Sequence, residues 1–399
     1  MSEFLTLDSI SLANKTVLLR AGLDVPVKDG VVTDTVRLTR LIPTLKDLSQ
    51  AKAKIVILAH FGRPGGQRNA KYSLRPVVEE LQKIWGQPIA FADDCIGPVA
   101  AAAITALPFG QILVLENTRF HAGEEQNDPA FAAQLAALGE VYVNDAFSAA
   151  HRAHATTTAL ARLLPHAAGR LMQAELEALK KALGKPQRPV AALVGGSKIS
   201  TKLDLLENLI TKVDVLVLGG GMANTFLAAQ GVNVGKSLHE VDMLDTARAI
   251  AAKAVVRHCR ILLPSDAVVA TALQANIAAQ TVNVNAVPAD SMILDIGPQS
   301  AAAIGEALKT CQTVVWNGPL GAFEFPPFDQ STVAIAKAVA YLTKQGKILS
   351  VAGGGDTVSA LTHAGVTEDL TYVSTAGGAF LEWMEGKTLP GVAALEVTQ

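Results

Sequence analysis

A chain of 399 residues with half of them hydrophobic and a formal net charge of −2 has the length for two domains and the apolar content for large cores. That balance excludes global disorder, and with no basic excess it gives no electrostatic support for binding nucleic acid or a membrane surface. Cys95, Cys259 and Cys311 stand far apart with no Cys-x-x-Cys pair, which argues for reduced thiols in the cytoplasm and against a zinc site.

The N-terminal MSEFLTLDSISLANK has no basic-then-apolar signal layout. Short Val/Ile/Leu runs then alternate with helical stretches. Strands are predicted at 16–20, 54–59, 112–115 and 140–143, and again at 190–194, 213–218, 260–263, 292–294, 312–316, 347–351 and 371–373. Most are apolar on both faces, as strands of a doubly covered parallel sheet must be. Stretches such as 76–85 and 240–257 carry apolar residues at helical spacing. This alternation predicts an α/β fold of βαβ units. The most apolar stretch, Val215 to Ala229, is broken by three glycines and Asn224 and reads as a strand entering a helix, not a membrane span. Gly169 to Leu183 is strongly helical and is followed by Gly184, Pro186 and Pro189. It predicts an interdomain helix with a linker near 184–189.

The ends of the strands change chemistry at mid-chain. In the first half they meet Arg20, His60 with Arg63, Arg119, and then His151, Arg152 and His154; Arg37 lies between the first two strands. Arginine is suited to bidentate recognition of carboxylate or phosphate. Four of the five arginines follow predicted strands, where ligands of open α/β sheets bind, so a shared anion site is expected. The histidines fit either that site or loop hydrogen bonding.

In the second half the strands meet glycines. Gly195-Gly196 opens GGSKISTK, whose Lys198 and Lys202 are four apart and are expected on one helix face near its N-terminus, in reach of a phosphate chain or simply solvated. Gly219-Gly220-Gly221 repeats the strand–glycine–helix order, for phosphate or for close packing. Asn317-Gly318-Pro319 follows Trp316, with Glu324 downstream as a ribose ligand or a solvated charge. Gly353-Gly354-Gly355 supplies amides for phosphate, Asp356 a hard oxygen ligand for Mg²⁺ or a helix N-cap, and Thr357 a cap or a phosphate bond. A cationic cleft for a small acid and a glycine-lined cleft for a nucleotide together predict phosphoryl transfer. A dehydrogenase is disfavoured, since no GxGxxG follows the first strand of either half.

The ordered motifs RAGLDVP (20–26), HFGRP (60–64), LENTRF (115–120), VNDAFSAAHRAHA (143–155), GGSKIS (195–200), GGGMANTF (219–226), WNGPLGAFE (316–324), GGGDT (353–357) and STAGGAFLE (374–382) resemble those of the phosphoglycerate kinases over nearly the whole chain. The resemblance implies two Rossmann-like domains joined by a long interdomain helix: an acid-substrate domain at 1–168, the connection at 169–189, a nucleotide domain at 190–378, and a tail at 379–399 returning to the first domain. It implies a cytoplasmic monomer that transfers a phosphoryl group reversibly from 1,3-bisphosphoglycerate to MgADP, giving 3-phosphoglycerate and ATP, in line and on domain closure. The acid then falls to Arg20, Asp24, Arg37, His60, Arg63, Arg119, His151 and Arg152. Catalysis falls to Arg37, Lys198, Gly354 and Gly377. The nucleotide falls to Gly195, Gly196, Lys198, Lys202, Gly219, Gly220, Asn317, Pro319, Glu324 and the run Gly353, Gly354, Gly355, Asp356 and Thr357, with Mg²⁺ on Asp356.

The chain departs from the family's usual Arg-x-Asp-x-Asn-Val-Pro. Gly22 stands for the aspartate and Asp24 for the asparagine. Alternate strand residues share a face, so the carboxylate is expected to move two places along one face and take over the hydroxyl of the acid. Ser148 and Ala149 are smaller departures, expected to alter loop packing. Two rival readings remain: a nucleotide-binding protein without efficient catalysis, and a kinase for a related acid. The first is opposed by the presence of Arg37, Lys198, Lys202 and Asp356 together. The second is opposed by the five arginines, several of which a plain carboxylate would leave unpaired.

Overall fold

The computed structural model describes residues 4–397. The chain folds into two units. One takes the chain up to Glu177 and again from Thr388; the other is Ala178–Lys387.

In the first unit, Thr16–Ala21 (β1) is buried at every residue after Thr16, as the middle strand of a doubly covered sheet must be. The strands that follow are Val27–Lys28 (β2), Val31–Val32 (β3), Lys54–Leu58 (β4), Ala90–Ala92 (β5), Ile112–Leu115 (β6), Val141–Asp145 (β7) and His166–Ala168 (β8). Six of them form one sheet in the order β5-β6-β4-β1-β7-β8. All its pairings are parallel, with Arg20 beside Leu58 on one flank and Asn144 on the other. The chain runs outward from β1 through β4 on one side and through β7 on the other. The switch point is therefore at β1, and the strand ends there open a crevice. The β2–β3 hairpin turns on Asp29-Gly30, both at positive φ. That dipeptide is the standard signal for such a turn, and the strand reading passed over it, as it did the short edge strands β5 and β8.

In the second unit the strands are Val190–Val194 (β9), Val215–Leu218 (β10), Arg260–Leu262 (β11), Asp266–Ala270 (β12), Gln280–Asn283 (β13), Met292–Ile296 (β14), Thr313–Asn317 (β15), Leu349–Gly353 (β16) and Tyr372–Ser374 (β17). The parallel sheet is ordered β11-β10-β9-β15-β16-β17, so its switch point lies between β9 and β15. β12, β13 and β14 form a separate antiparallel sheet. The strand predicted at 292–294 belongs there, not in the parallel sheet. β13 escaped the sequence reading because it is mostly exposed and carries no apolar run; β12, the buried run DAVVA, was passed over with it.

The predicted helix from Gly169 forms as Arg170–Leu179 and then widens into a π-turn, Lys180–Gly184. Its start is held by Asp145, fully buried at the end of β7, which accepts from the Met172 amide at 3.0 Å. That satisfies one amide that the first turn of a helix leaves without an internal partner. Burial raises the Asp145 carboxyl to about 6 against those bonds. Arg170 adds ion pairs to Asp8 and Asp47, each at 2.6 Å.

Candidate active site

At the crevice of the first unit, β1 delivers Arg20 and β4 delivers His60. Arg20 is 0% exposed. Its Nε donates to Thr156 Oγ1 (2.8 Å), its Nη1 to the Ala21 carbonyl, and its Nη2 lies 2.6 Å from His60 Nδ1. Thr156 in turn binds the buried carboxylate of Glu124 through its amide and hydroxyl. The Arg20 guanidinium is thus held by a buried network and reaches the crevice through His60. Burial, with repulsion from Arg20 and Arg119, lowers His60 to about 4 against the pull of Asp24. The ring is therefore neutral at pH 7. Since an arginine can only donate, Nδ1 accepts, and Nε2–H faces Asp24 Oδ2 at 3.6 Å.

Asp24 lies past the end of β1, in the segment 22–26, which has no regular secondary structure. The strand-face argument for a simple shift from position 22 to 24 therefore does not hold, because the pleat ends at Ala21. Tertiary partners set the position of Asp24. Its Oδ1 accepts from the Gly62 amide (3.0 Å) and its carbonyl from Arg37 Nη1 (2.5 Å). Burial opposes its charge, but the nearby His60 ring, the bond from the Gly62 amide and the charge of Arg37 outweigh this and hold it at about 2. The two departures from the family pattern meet: a Cβ at Gly22 would lie 3.4 Å from Ser148 Oγ, an ordinary contact. Ser148 therefore faces the position from which the usual carboxylate is missing.

Arg119 is nearly buried. It donates to the Gly62 carbonyl (2.7 Å) and lies 3.4 Å from Glu125. Gly62 thus ties Asp24 and Arg119 by its two peptide faces. It has φ +59°, and a Cβ there would strike the Tyr72 ring at 2.4 Å. Arg152 is half-buried, and its Nε donates to His151 Nε2 at 3.2 Å; Arg63 is exposed. His154 is buried, and burial followed by the charges of Arg119, Arg20 and Arg152 lowers it to about 3. Arg119 is likewise lowered, by burial and then by Arg20 and Arg152 against Glu125. This mutual repulsion places the basic side chains in one field, as an anion site requires. Asn117 was missed by the sequence reading. Its side chain binds Phe61 N and O, Tyr72 O and Arg119 N, and so joins the loops after β4 and β6.

In the second unit the loops after β9, β15 and β16 converge. Asn317 Nδ2 donates to the Gly353 carbonyl (2.9 Å), while its Oδ1 accepts from Lys202 Nζ (2.7 Å), which also reaches the Gly195 carbonyl (2.7 Å). Burial lowers Lys202 to about 8, opposed by Asp356. Lys198 and Lys202 do not share a helix face, because the helix starts only at Leu203. Buried Ile199 and the bonds from Ser200 to Glu240 shape 197–202 into a loop, which leaves Lys198 exposed.

The glycines divide by role. The amides of Gly195, Gly219 and Gly220 donate to the carbonyls of Asn317, Val194 and Leu320. Pro319 packs its carbonyl against Gly195, where a Cβ would come within 1.6 Å. These glycines bring loops together rather than offer amides. Gly354, at φ +100°, is the N-cap of the helix Gly355–His363, and the first-turn amides of that helix have no acceptor within it. Gly377 comes beside this turn, where a Cβ would lie 3.9 Å from the Gly355 amide. Thr357 is buried and accepts from the Gly318 amide at 2.7 Å; it is not the cap. Asp356 is also inside the helix, exposed, and not an N-cap; Glu324 is exposed.

The phosphoglycerate kinase profile matches residues 7–387. The chain belongs to the phosphoglycerate kinase family. The phosphoglycerate kinase of Rhodospirillum centenum is 62% identical over 392 residues, 98% of this chain and 99% of its own. That of Sinorhizobium medicae is 61% identical over 394 residues, again 98% and 99%. The solved phosphoglycerate kinase from Coxiella burnetii has a TM-score of 0.92 at 42% identity and covers 98% of this chain and 99% of that one. The enzyme is accordingly a glycolytic kinase that moves a phosphoryl group reversibly between 1,3-bisphosphoglycerate with ADP and 3-phosphoglycerate with ATP. Among the described residues, no helix is long and apolar enough to cross a membrane.

Proposed function

We propose that the enzyme transfers the phosphoryl group directly and in line, with no phosphoenzyme. The acid is held on Arg37, His60, Arg63, Arg119, His151 and Arg152, with Arg20 and Asp24 setting His60. The nucleotide is held by the 353–357 turn, with Gly377 beside it, and by Lys198 and Lys202, while Asn317, Pro319 and the glycines at 195–196 and 219–220 shape the loops and Glu324 takes the ribose. The observation that supports this most is Arg37. It is the second residue of the helix Val36–Gln50, where the helix dipole disfavours a cation, and its guanidinium is steered by the Asp24 carbonyl. Its charge acts on Asp24 and adds to that of the basic side chains after β1, β4 and β6, which supports an anionic acid as the substrate.

Mg²⁺ fits Asp356. The carboxylate is exposed, has no ion pair among the described residues, and starts a helix beside the glycine turn; it is a hard oxygen donor of the kind this ion takes. When bound with nucleotide, the ion supplies charge neutralisation on the phosphate oxygens. The remaining chemistry is positioning and charge stabilisation by the arginines and by Lys198. The three buried, unbridged cysteines support a cytoplasmic location, and family resemblance supports a monomer.

Replacing Arg37 by Ala is expected to lower kcat by ~10²–10³, by analogy with loss of an oxyanion donor, and to leave the KM for ATP nearly unchanged. A coupled assay with ATP, Mg²⁺ and 3-phosphoglycerate measures both. A rise in KM alone would contradict the role.

A further inference from the structure

Cysteine spacing argued against a metal site, because Cys95 has no cysteine partner nearby in the chain. The fold gives it different partners. Asp94 and Cys95 follow β5, and His121 follows the turn Thr118–Phe120 after β6. β5 and β6 are neighbours in the sheet, and this brings the two loops together. One ligand atom from each of Asp94, Cys95 and His121 lies within 4.8 Å of the others. Ligands around a tetrahedral ion with bonds of roughly 2.0–2.3 Å stand about 3.3–3.8 Å apart, so small side-chain movements suffice.

The environment fits a cation with an open position. Asp94 Oδ1 and His121 Nε2 are already 2.7 Å apart, and both side chains are about one-third exposed (32% and 29%). His121 is stacked on Phe131 with ring centroids 5.3 Å apart, which limits its rotation. Cys95 is 0% exposed, and its sulfur has no side-chain hydrogen-bond partner among the described residues. Burial and the nearby carboxylates of Asp94 and Glu124 keep the thiol protonated. Arg68 lies 3.6 Å from Asp94 Oδ2, a positive charge on the carboxylate oxygen opposite the one His121 approaches.

We propose that Asp94, Cys95 and His121 form a binding site for a borderline-soft divalent cation of the Zn²⁺ class, with one coordination position left to water. The mixed oxygen, sulfur and nitrogen donor set favours such an ion. Mg²⁺ takes oxygen ligands and keeps its waters, so the ion that serves the nucleotide does not compete. On binding, the Cys95 thiol releases its proton to solvent and the sulfur–metal bond forms. The Asp94–His121 hydrogen bond gives way as His121 moves its Nε2 proton to Nδ1 by tautomerisation through solvent, which frees the Nε2 lone pair and Asp94 Oδ1 to bond the ion. Through His121 the site reaches the turn that carries Arg119.

The test is a Co²⁺ titration of the reduced full-length chain in the presence of Mg²⁺. A thiolate-to-cobalt charge-transfer band in the near ultraviolet, saturating at one equivalent, is expected. Cys95→Ser abolishes the band. Asp94→Asn and His121→Gln each weaken binding by more than the roughly 10–100-fold that loss of an outer-shell partner costs, and Arg68→Ala tightens it. Absence of the band in the unmodified chain, or its persistence in Cys95→Ser, overturns the site. If Cys95→Ser fails to fold, His121→Gln decides: unchanged Co²⁺ affinity there overturns it equally.

Discussion

His60 is the residue on which the first unit's crevice turns, and its titration is the sharpest test of the geometry. Arg20 occupies its Nδ1 side and Asp24 its Nε2 side, and burial holds the ring at about 4 where the ordinary value is 6.5. An unfolded chain takes up a proton at 6.5 that the folded chain refuses until about 4. The contribution of His60 to stability is therefore complete above pH 6.5 and is lost as pH falls toward 4. Across roughly 2.5 pH units, at 1.36 kcal/mol per unit, the loss is on the order of 3 kcal/mol. Asp145, raised to about 6, acts in the opposite sense over much of the same range. The expected quantity is therefore the difference between the wild-type chain and His60→Gln, in which Asp145 cancels. Amide exchange in β1 and β4, corrected for intrinsic rates, reads it locally; the wild type should lose protection from pH 6.5 to 4 more steeply than the variant by about that amount. Parallel curves, or a His60 ring that titrates near 6.5 by NMR, would refute the assignment.

Gly62→Ala introduces both a disfavoured φ and a clash with Tyr72. We expect it to destabilise the first unit by ~1–3 kcal/mol in chemical denaturation and to raise the KM for 3-phosphoglycerate, because Asp24 and Arg119 are both anchored there. Lys202 should lose its charge as pH rises through about 8, so ATP affinity should decline across that pH, whereas Lys202→Arg, always charged, should give a flat profile in equilibrium binding. Thr357→Val leaves the Gly318 amide without its acceptor and is expected to cost ~1–3 kcal/mol and to weaken nucleotide binding, as read by thermal unfolding with and without MgATP.

The contrast of arginine-ended and glycine-ended strands was legible in the chain because apolar runs covered on both faces announce themselves by composition, and whatever follows such a run lies at the sheet's carboxyl edge. Arg20, His60, Gly195, Asn317 and Gly353 follow that rule. The roles within each cluster were not legible. Arg20 is fully enclosed and acts through His60; the glycines at 195, 219 and 220 bind loops to one another, while the turn at 354 keeps its amides available; Lys202 is drawn inward and Lys198 is not. Each difference depends on which carbonyl or carboxylate another loop brings within hydrogen-bond reach, and no local periodicity encodes that. The same holds for Asp24, whose position depends on Gly62 and His60 rather than on the pleat of β1, and for Gly22, whose missing side chain is faced by Ser148. Local sequence determined the central buried strands of the two parallel sheets and the order of chemistry at their ends, arginine in the first half and glycine in the second. The register between neighbouring loops, set when the strand ends are packed together, decided which of those residues stay open at the crevice and which hold the others in place.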